Sequence, residues 1–421
     1  MLSRRAFVAG LPAALSAAPR RRLTKEEDVF LEDLSHRCFQ FFWEQADENT
    51  GLVRDRSLAD SGAPDKRTIA SSAATGFGLT AICIAAERGW ISRDQTRRRT
   101  AATLRFYAEK SLHEHGWFYH FVDTATGERR WNCELSSIDT ILLLAGIITA
   151  RQYFGGDAEI DGWARKIWSR IDFHWMLNGD PNLLAMGWRP ESGFIKSRWD
   201  HHCELGILYL LGIASPTNPL PAESWYAWAR PTVTYGGYAY ISGAPPLFVH
   251  QYSQGWIDFR GRREKRPPGT DWFDNSVKAT LAHRQFCIDL HGKFPGYSEN
   301  VWGITASDSA KGYVAWGGPP ATNNIDGSVV PCAAGGSLMF APEVCLPALL
   351  EMRRQFGQRI YKRYGFVDAF HPVNGWTNPD VIGLDVGITL IAAENLRTGN
   401  VWRWFGKNPG VKRAMSGLFT S

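Results

Sequence analysis

Four carboxylates stand where this sequence passes from a polar loop into an apolar stretch, and they are its best candidates for acid–base chemistry. Glu134 and Asp139 precede and open one such stretch, Glu204 directly precedes a second, and Asp385 lies between two glycines before a third. A carboxyl group at the mouth of a buried helix loses its water, which raises its pKa and keeps it protonated near neutral pH, as a general acid requires. This pattern favours Glu204 as a general acid.

Helix capping is a structural alternative for these acids. Asp139 and Asp385 are placed to accept hydrogen bonds from free backbone N–H groups at a helix start, and Glu204 is placed to interact with the positive end of a helix dipole. The sequence leaves the capping and catalytic interpretations open.

Loops rich in glycine bring aromatic, amide and acidic side chains together. A sugar has a face of C–H groups and a rim of hydroxyls, so its binding site combines flat aromatic surfaces with carboxylates and amides. Glu134 and Asp139 are therefore candidate substrate-binding residues. Further candidates from these loops are Trp188, His250, Gln251, Tyr252, Glu299, Trp302, Asp308 and Trp316.

The composition agrees with a saccharide ligand. The chain has 18 Trp, many beside Gly, Pro or charged residues, although we expect about half of them to fill the core, where this ring is usually found. The 47 basic and 42 acidic residues are spread along the chain without a long basic block, which argues against nucleic acid as a partner.

The cysteines and histidines follow no metal pattern. Seven Cys occur without a CxxC pair and 11 His are scattered, so we expect buried thiols and no metal or organic cofactor.

Helical periodicity and capping signals predict an all-α fold. Thr24 with Glu27 and Ser92 with Gln95 are capping boxes, and a β-hairpin is predicted over residues 117–131, around Thr126-Gly127. The helices are expected from residue 25 and at 68–88, 92–112, 138–154, 160–177, 204–213, 272–290, 342–357 and 386–396. Repeated helical hairpins with long loops predict an (α/α) barrel that forms one domain over residues 23–421, and we expect a monomer.

Residues 1–22 have the features of a twin-arginine export signal. Arg4-Arg5 precedes an apolar run from Phe7 to Ala18, which is shorter than the ~20 residues that span a bilayer. We predict a periplasmic or secreted protein without a membrane span; an uncleaved membrane anchor is the alternative.

Several stretches resemble the bacterial glucoamylase-like domain, and the resemblance extends from about residue 25 to the end of the chain. They are residues 134–140 (ELSSIDT), 175–179 (WMLNG), 215–219 (SPTNP), 247–253 (LFVHQYS), 303–308 (GITASD), 330–335 (VPCAAG), 365–370 (GFVDAF) and 394–399 (ENLRTG).

Within that group the chain is similar to glycoside hydrolase family 144, the β-1,2-glucanases. The resemblance implies an (α/α)6 barrel, an inverting mechanism, Glu204 as the acid, Asp385 as the base, and Glu134 and Asp139 in the same cleft. An inverting enzyme separates its two carboxyl groups by about 6.5–9.5 Å. The sequence departs from the family's pattern at Val386 and at His202-Cys203, which leaves the linkage and the mode of cutting open.

Other functions on the same fold remain alternatives. A transglycosidase or phosphorylase would transfer the glycosyl unit to an acceptor other than water, and an inactive relative would bind glycan without cutting it. The retention of four candidate acids argues against the inactive relative.

Overall fold

The computed structural model describes residues 22–60 and 65–420. Residues 1–21 of the predicted export signal lie outside the described residues, as do 61–64 and Ser421. In the described part, no helix is long and apolar enough to cross a membrane.

Helices dominate the described residues. They are α1 (Lys25–Glu44), α2 (Ser72–Glu87), α3 (Arg93–Glu109), α4 (Ser137–Tyr153), α5 (Ala158–Arg170), α6 (Phe173–Leu177), α7 (Gly206–Ile213), α8 (Glu223–Ala227), α9 (Tyr252–Trp256), α10 (Trp272–Asp289), α11 (Pro331–Gly335), α12 (Pro342–Ile360), α13 (Gly383–Arg397), α14 (Asn400–Gly406) and α15 (Pro409–Leu418). Two 3₁₀ turns, Leu247–His250 and Leu290–Gly292, precede α9 and follow α10.

The strands are short and form small antiparallel sheets. They are β1 (Arg56–Leu58), β2 (Ile69–Ser71), β3 (His113–Glu114), β4 (Trp117–Phe118), β5 (Phe121–Asp123), β6 (Leu135–Ser136), β7 (Gly187–Arg189), β8 (Gly193–Phe194), β9 (Thr232–Tyr235), β10 (Tyr238–Ile241), β11 (Ser307–Ser309), β12 (Gly312–Val314), β13 (Tyr361–Lys362), β14 (Gly365–Phe366) and β15 (Asp380–Ile382).

The helices pack as a helical toroid. The contacts run from α2 to α4, α4 to α7, α7 to α9, α9 to α13, and α13 back to α2. The closest approach is between α2 and α4, where a Cβ on Gly76 would lie 2.2 Å from the carbonyl oxygen of Leu142 and one on Gly146 would lie 2.0 Å from that of Gly76. Glycine is required at both positions because any side chain would push the two helices apart.

The predicted helix starts are confirmed where a cap marks them. Thr24 and Ser92 form the expected capping boxes of α1 and α3. The predicted helix at 68–88 begins at Ser72, because Ser71 caps it and Ile69–Ser71 pairs with β5. The predicted helix at 160–177 is two helices, because Asp172 accepts a hydrogen bond from the backbone N–H of Trp175 and starts α6.

The predicted hairpin over residues 117–131 is confirmed for its inner part, where Arg130 N–H donates to Phe121 C=O at 3.0 Å. Phe121–Asp123 also pairs with β2, and Trp117–Phe118 pairs with β3 outside the predicted hairpin. A tight turn does lie where Thr126-Gly127 predicted it, closed by a 2.8 Å hydrogen bond from Asp123 N–H to Glu128 C=O and by a bridge between Val122 and Arg129.

The prediction of buried thiols is confirmed. All seven cysteines are free, six are buried, and Cys203 is partly buried. Burial raises the pKa of thiols such as Cys287, to about 12, which keeps them protonated and unreactive.

Candidate active site

Glu204 and Asp385 lie close to the same phenol, that of Tyr252. Burial is the main cause that raises the pKa of Tyr252 well above its usual value, and the negative charges of Asp385 and Glu204 raise it further. Glu204 lies just before α7, Tyr252 opens α9, and Asp385 is in the first turn of α13. Since α9 contacts both α7 and α13, the starts of these three helices bring both acids within electrostatic range of Tyr252.

These acids are not the capping residues of their helices. Ser136 caps α4 and accepts a hydrogen bond from Asp139 N–H, while α7 and α13 begin without a side-chain cap. The carboxyl groups of Glu204 and Asp385 are therefore not occupied by helix capping.

The Glu204 carboxyl group has the protonation expected of a general acid. Burial raises its pKa to about 7, and the negative charge of Asp139 adds to this effect. The residue keeps partial exposure to solvent. Its backbone is held by Ser253, whose hydroxyl donates to the Glu204 carbonyl oxygen at 2.6 Å and accepts from Ile207 N–H at 2.9 Å.

His120 joins the other two predicted acids. Its Nδ1 lies 3.1 Å from Glu134 Oε1 and its Nε2 lies 3.5 Å from Asp139 Oδ1. Burial lowers the pKa of His120, but the charges of Asp139 and Glu134 outweigh burial and raise it. In turn, the hydrogen bond from His120 is the first cause that lowers the pKa of Glu134 to about 2, so this side of the site is an ion-paired network.

Arg189 completes that network, and the hairpin register explains why it does. Its guanidinium donates to Glu134 Oε2 at 3.1 Å. Strand β7 pairs with β6, which places Trp188 opposite Leu135, and His120 N–H donates to the Glu134 carbonyl at 3.0 Å. Neither His120 nor Arg189 was predicted from the sequence, because the strand pairing that brings them to Glu134 leaves no local signal.

The surroundings of Asp385 are mostly acidic. Burial and the charge of Asp385 raise the pKa of Asp368 well above its usual value. Burial also raises the pKa of Asp385, whereas hydrogen bonding to Asp368 and to Cys332 lowers it. Hydrogen bonding between the two carboxyl groups therefore favours the protonated form of Asp368 and the ionised form of Asp385.

Asp368 is held in place by its other oxygen. Its Oδ2 accepts from Asp308 N–H at 2.8 Å and from Asn378 Nδ2 at 3.0 Å. The Asp308 carboxylate accepts from Arg56 at 2.6 Å and from Asn378 at 3.1 Å. The Arg56 guanidinium that binds Asp308 also pairs with Asp55, at 2.9 Å.

Tyr313 overhangs the same acids from β12. The residue is 63% exposed, yet burial of its hydroxyl and the charges of Asp385, Asp368 and Asp55 raise its pKa. Tyr313 pairs with Asp308 in the β11–β12 register, which places both side chains on one face of this hairpin. Tyr313 was not among the residues predicted from the sequence.

The structure separates the remaining predicted binding residues from these acids. Trp302 and Gln251 have no exposed surface, and Gln251 donates to Ala333 C=O and Ser337 Oγ between α9 and α11. Trp316 is 3% exposed and donates to Ser307 Oγ. These three side chains support the fold, because fully packed side chains offer no face to a sugar.

Three further predicted residues also lie away from the carboxylates. His250 is buried and its Nε2 contacts Ser242 Oγ at 3.2 Å. Trp188 packs against Trp175, with ring centroids 5.7 Å apart, on the face of β7 opposite Arg189. Glu299 is exposed beside Arg284, at 3.7 Å. Buried His250 therefore offers little ring surface to a sugar, and in the described residues neither Trp188 nor Glu299 has a side-chain hydrogen bond or ion pair with the four acids. The sugar contacts of these three residues stay predictions.

No group of three or more His, Cys, Asp or Glu in the described residues is arranged to hold a metal ion. The site contains the half-buried carboxyl group of Glu204 and the buried pair Asp385 and Asp368. Beside them, the Arg56 guanidinium lies between the carboxylates of Asp55 and Asp308.

Comparisons with known proteins agree with the resemblance noted in the sequence. The sequence model of the Glycoamylase family, described as "Putative glucoamylase", matches residues 196–409, half of the chain. A curated relative, the exo beta-1,2-glucooligosaccharide sophorohydrolase (non-reducing end) of Parabacteroides distasonis, is 28% identical over 92% of this chain. This chain spans only 57% of the length of that relative.

Solved structures share the fold. The endo-beta-1,2-glucanase from Chitinophaga pinensis, in complex with sophorotriose and glucose, is 28% identical with a TM-score of 0.87 and covers 95% of this chain and 99% of its own. The beta-1,2-glucanase from Parabacteroides distasonis is 27% identical with a TM-score of 0.84, over 94% of this chain and 60% of its own. On the family match and these likenesses, the chain belongs to the Glycoamylase family.

Proposed function

We propose that this protein is a glycoside hydrolase that cleaves β-1,2-glucan. The observation that carries the proposal is the pairing of Glu204, whose pKa is about 7, with Asp385 around one buried phenol. Two solved structures with a similar fold are named as β-1,2-glucanases, and their likeness covers 95% and 94% of this chain.

The proposed mechanism inverts the anomeric centre. Protonated Glu204 donates its proton to the glycosidic oxygen, and the bond from that oxygen to the anomeric carbon breaks. Water attacks the anomeric carbon from the opposite face, and ionised Asp385 accepts the proton that the water releases. One proton leaves Glu204 and one reaches Asp385, so the cycle closes by proton exchange with solvent.

The local electrostatics support these roles. Glu204 is close to half protonated at pH 7, which matches the pKa of a general acid to its working pH. Asp385 raises the pKa of Asp368, so the pair's proton rests on Asp368 and leaves Asp385 free to accept another. Glu134, Asp139 and Asp308 are proposed to bind sugar hydroxyls beside the reacting bond.

The arrangement of the helices fits an (α/α)6 barrel. We infer that α2, α4, α7, α9, α11 and α13 form the inner ring of an (α/α)6 barrel, supported by the contacts between successive members and by the Gln251 bridge from α9 to α11. The twin-arginine export signal remains a prediction, which mass spectrometry of the mature N-terminus would test. The monomeric state also remains a prediction, which light scattering of the purified protein would test.

Substitution of the two acids tests the mechanism. We expect Glu204→Gln and Asp385→Asn each to reduce turnover of β-1,2-glucan by at least about 1,000-fold, because each removes one required proton transfer. Glu109→Gln is the matched control: it changes an exposed carboxylate at the end of α3 and should keep turnover within twofold. Products are resolved by chromatography and folding is checked by circular dichroism.

A panel of glucans with defined linkages separates the substrate from the mechanism. Cleavage of β-1,2-glucan by the unaltered protein, with the opposite anomer formed first by NMR, is expected. Near-native turnover in either acid variant would overturn the role given to that residue, and cleavage of only other linkages would overturn the substrate.

A further inference from the structure

We propose that Trp131 is a sugar-binding platform at the rim of the site and that it forms a distal subsite for longer β-glucan chains. This inference rests on the proposed function for its ligand class. Trp131 is not among the binding residues predicted from the sequence, and it touches none of the four candidate acids in the contacts described above.

Trp131 is unusual because of its exposure. It is 66% exposed, and among the described residues it is the one tryptophan found with the exposed large hydrophobic side chains. An indole in water is costly, since burial of such a ring is strongly favourable. A large apolar ring left exposed beside polar groups is typical of a binding surface.

A short chain of aromatic contacts connects Trp131 with the ion-paired network. Its ring lies 5.0 Å from that of Phe121, at an interplanar angle of 62°. Phe121 in turn stacks on His120, with centroids 3.7 Å apart. His120 bonds to Glu134 and Asp139, so Trp131 is two ring contacts from the carboxylates.

The backbone at Trp131 holds the ring in a conformation that non-glycine residues seldom adopt. Trp131 has φ 57° and Asn132 has φ 48°, two left-handed residues in succession. Such conformations persist only where the surroundings enforce them, and they concentrate at functional sites.

Contacts on both sides of Trp131 enforce this conformation. Arg129 donates to Cys133 C=O at 2.5 Å and pairs with Glu191. Arg130 pairs with Asp123 at 2.8 Å. The platform is therefore fixed before a ligand arrives, which lowers the entropic cost of binding.

The chemistry of this surface fits a sugar unit. An exposed indole face stacks on the C–H face of a pyranose, and Arg130 and Asn132, both partly or fully open to solvent, flank it with hydrogen-bonding groups. A chain long enough to extend from the carboxylates past His120 would reach this ring, whereas a short oligosaccharide would not.

The test compares Trp131→Ala with Trp131→Phe on β-1,2-glucans of increasing length. The quantity measured is the KM for long chains divided by the KM for the shortest cleaved oligosaccharide. We expect Trp131→Ala to raise this ratio by about five- to tenfold, the scale of one aromatic contact. The change in kcat should be smaller than the change in KM. Trp131→Phe should recover most of the loss. Val29→Ala, at a 61% exposed apolar residue on α1, is the matched control.

Affinity electrophoresis in gels that contain soluble β-glucan gives a readout that does not need turnover. Retardation of the unaltered protein that Trp131→Ala weakens, and Trp131→Phe restores, supports the platform even if no glucan is cleaved, in which case only the proposed function fails. An unchanged KM ratio together with unchanged retardation in Trp131→Ala overturns the platform. Absence of both cleavage and retardation in the unaltered protein overturns both proposals.

Discussion

Two groups of titratable side chains in this protein have strongly shifted pKa values, and they differ in whether charged or hydrogen-bonding partners act on them. One group is the set of cleft carboxylates around Tyr252. The other is a cluster of histidines, defined here as His202, His250 and His283. Burial is the largest cause of the pKa shift in all three histidines and in Glu204, Asp368 and Asp385, whereas the His120 hydrogen bond is the largest cause for Glu134.

The histidine cluster is packed without ionic partners. His202 stacks on Trp272 with ring centroids 5.1 Å apart and lies equally far from His250. Burial lowers the pKa of His202 and of His283 to about 3 and that of His250 well below its usual value. In all three rings Nδ1 is buried without a hydrogen-bond partner, so the cluster is neutral core.

The carboxylates differ because each has a partner whose charge or proton tunes it. Asp139 raises the pKa of Glu204, His120 lowers that of Glu134, and Asp368 shares a proton with Asp385. A shifted pKa therefore records burial in both regions. The candidate site differs from the histidine cluster because its carboxylates have charged or hydrogen-bonding partners and Glu204 is partly open to solvent.

The largest loss of activity in this comparison is expected from replacement of Asp368 by a residue that cannot donate a hydrogen bond. In Asp368→Leu, Asp385 loses the hydrogen bond that favours its ionised form, so its pKa should rise and it should be a poorer base at neutral pH. We expect kcat on β-1,2-glucan to fall about 100-fold, the scale of a lost hydrogen bond to a charged group, and the acidic limb of the pH profile to move to higher pH.

Asp368→Asn is the matched control for that change. An amide still donates to Asp385, so activity should stay within about tenfold of the unaltered protein. If the leucine and asparagine variants lose activity equally, Asp368 is a structural residue and the shared proton has no role.

The helices were predictable because their signals are local. Thr24-Glu27 and Ser92-Gln95 fix the starts of α1 and α3 within four residues of sequence. The same reasoning found the four acids, since each lies at the junction of a loop with an apolar stretch. It missed the additional strand partners of residues 117–123, because Trp117–Phe118 pairs with β3 and Phe121–Asp123 also pairs with β2.

The rest of the site is assembled by long-range pairing. Asp368 reaches Asp385 through the loop after β14, with Asn378 and Asp308 as partners, and no spacing in the sequence predicts that contact. Composition did not reveal that Trp302 and Trp316 are buried, because an aromatic ring beside glycine is as compatible with tight packing as with a ligand.

The histidine cluster predicts a loss of stability in acid. The pKa of folded His202, about 3, lies below the ordinary 6.5, so the unfolded chain binds more protons between these values and stability falls as pH drops through 6.5. Each such histidine should cost on the order of 2 kcal/mol of unfolding free energy between pH 7 and pH 5.

Replacement of one ring isolates that cost. His202→Phe keeps an aromatic stack on Trp272, and its unfolding free energy, measured with urea at several pH values, should fall less steeply toward pH 5. His201→Asn changes an exposed neighbour and should keep the original slope. An unaltered slope in His202→Phe would mean that His202 does not oppose protonation in the folded state.

The smallest effect is expected from Asp139→Asn, which alters the tuning of Glu204 without touching it. The negative charge of Asp139 helps to raise the pKa of Glu204 to about 7, so its removal lowers that pKa and the acid is lost at lower pH. The alkaline limb of the kcat/KM profile should therefore move to lower pH, by less than about one unit for a single secondary charge.

Glu134→Gln is the comparison, because the charge of Glu134 is already paired with His120 and Arg189 and its loss should move the limb less. A limb that moves to higher pH in Asp139→Asn, or moves further in Glu134→Gln, would show that Glu204 is not the acid whose titration that limb records.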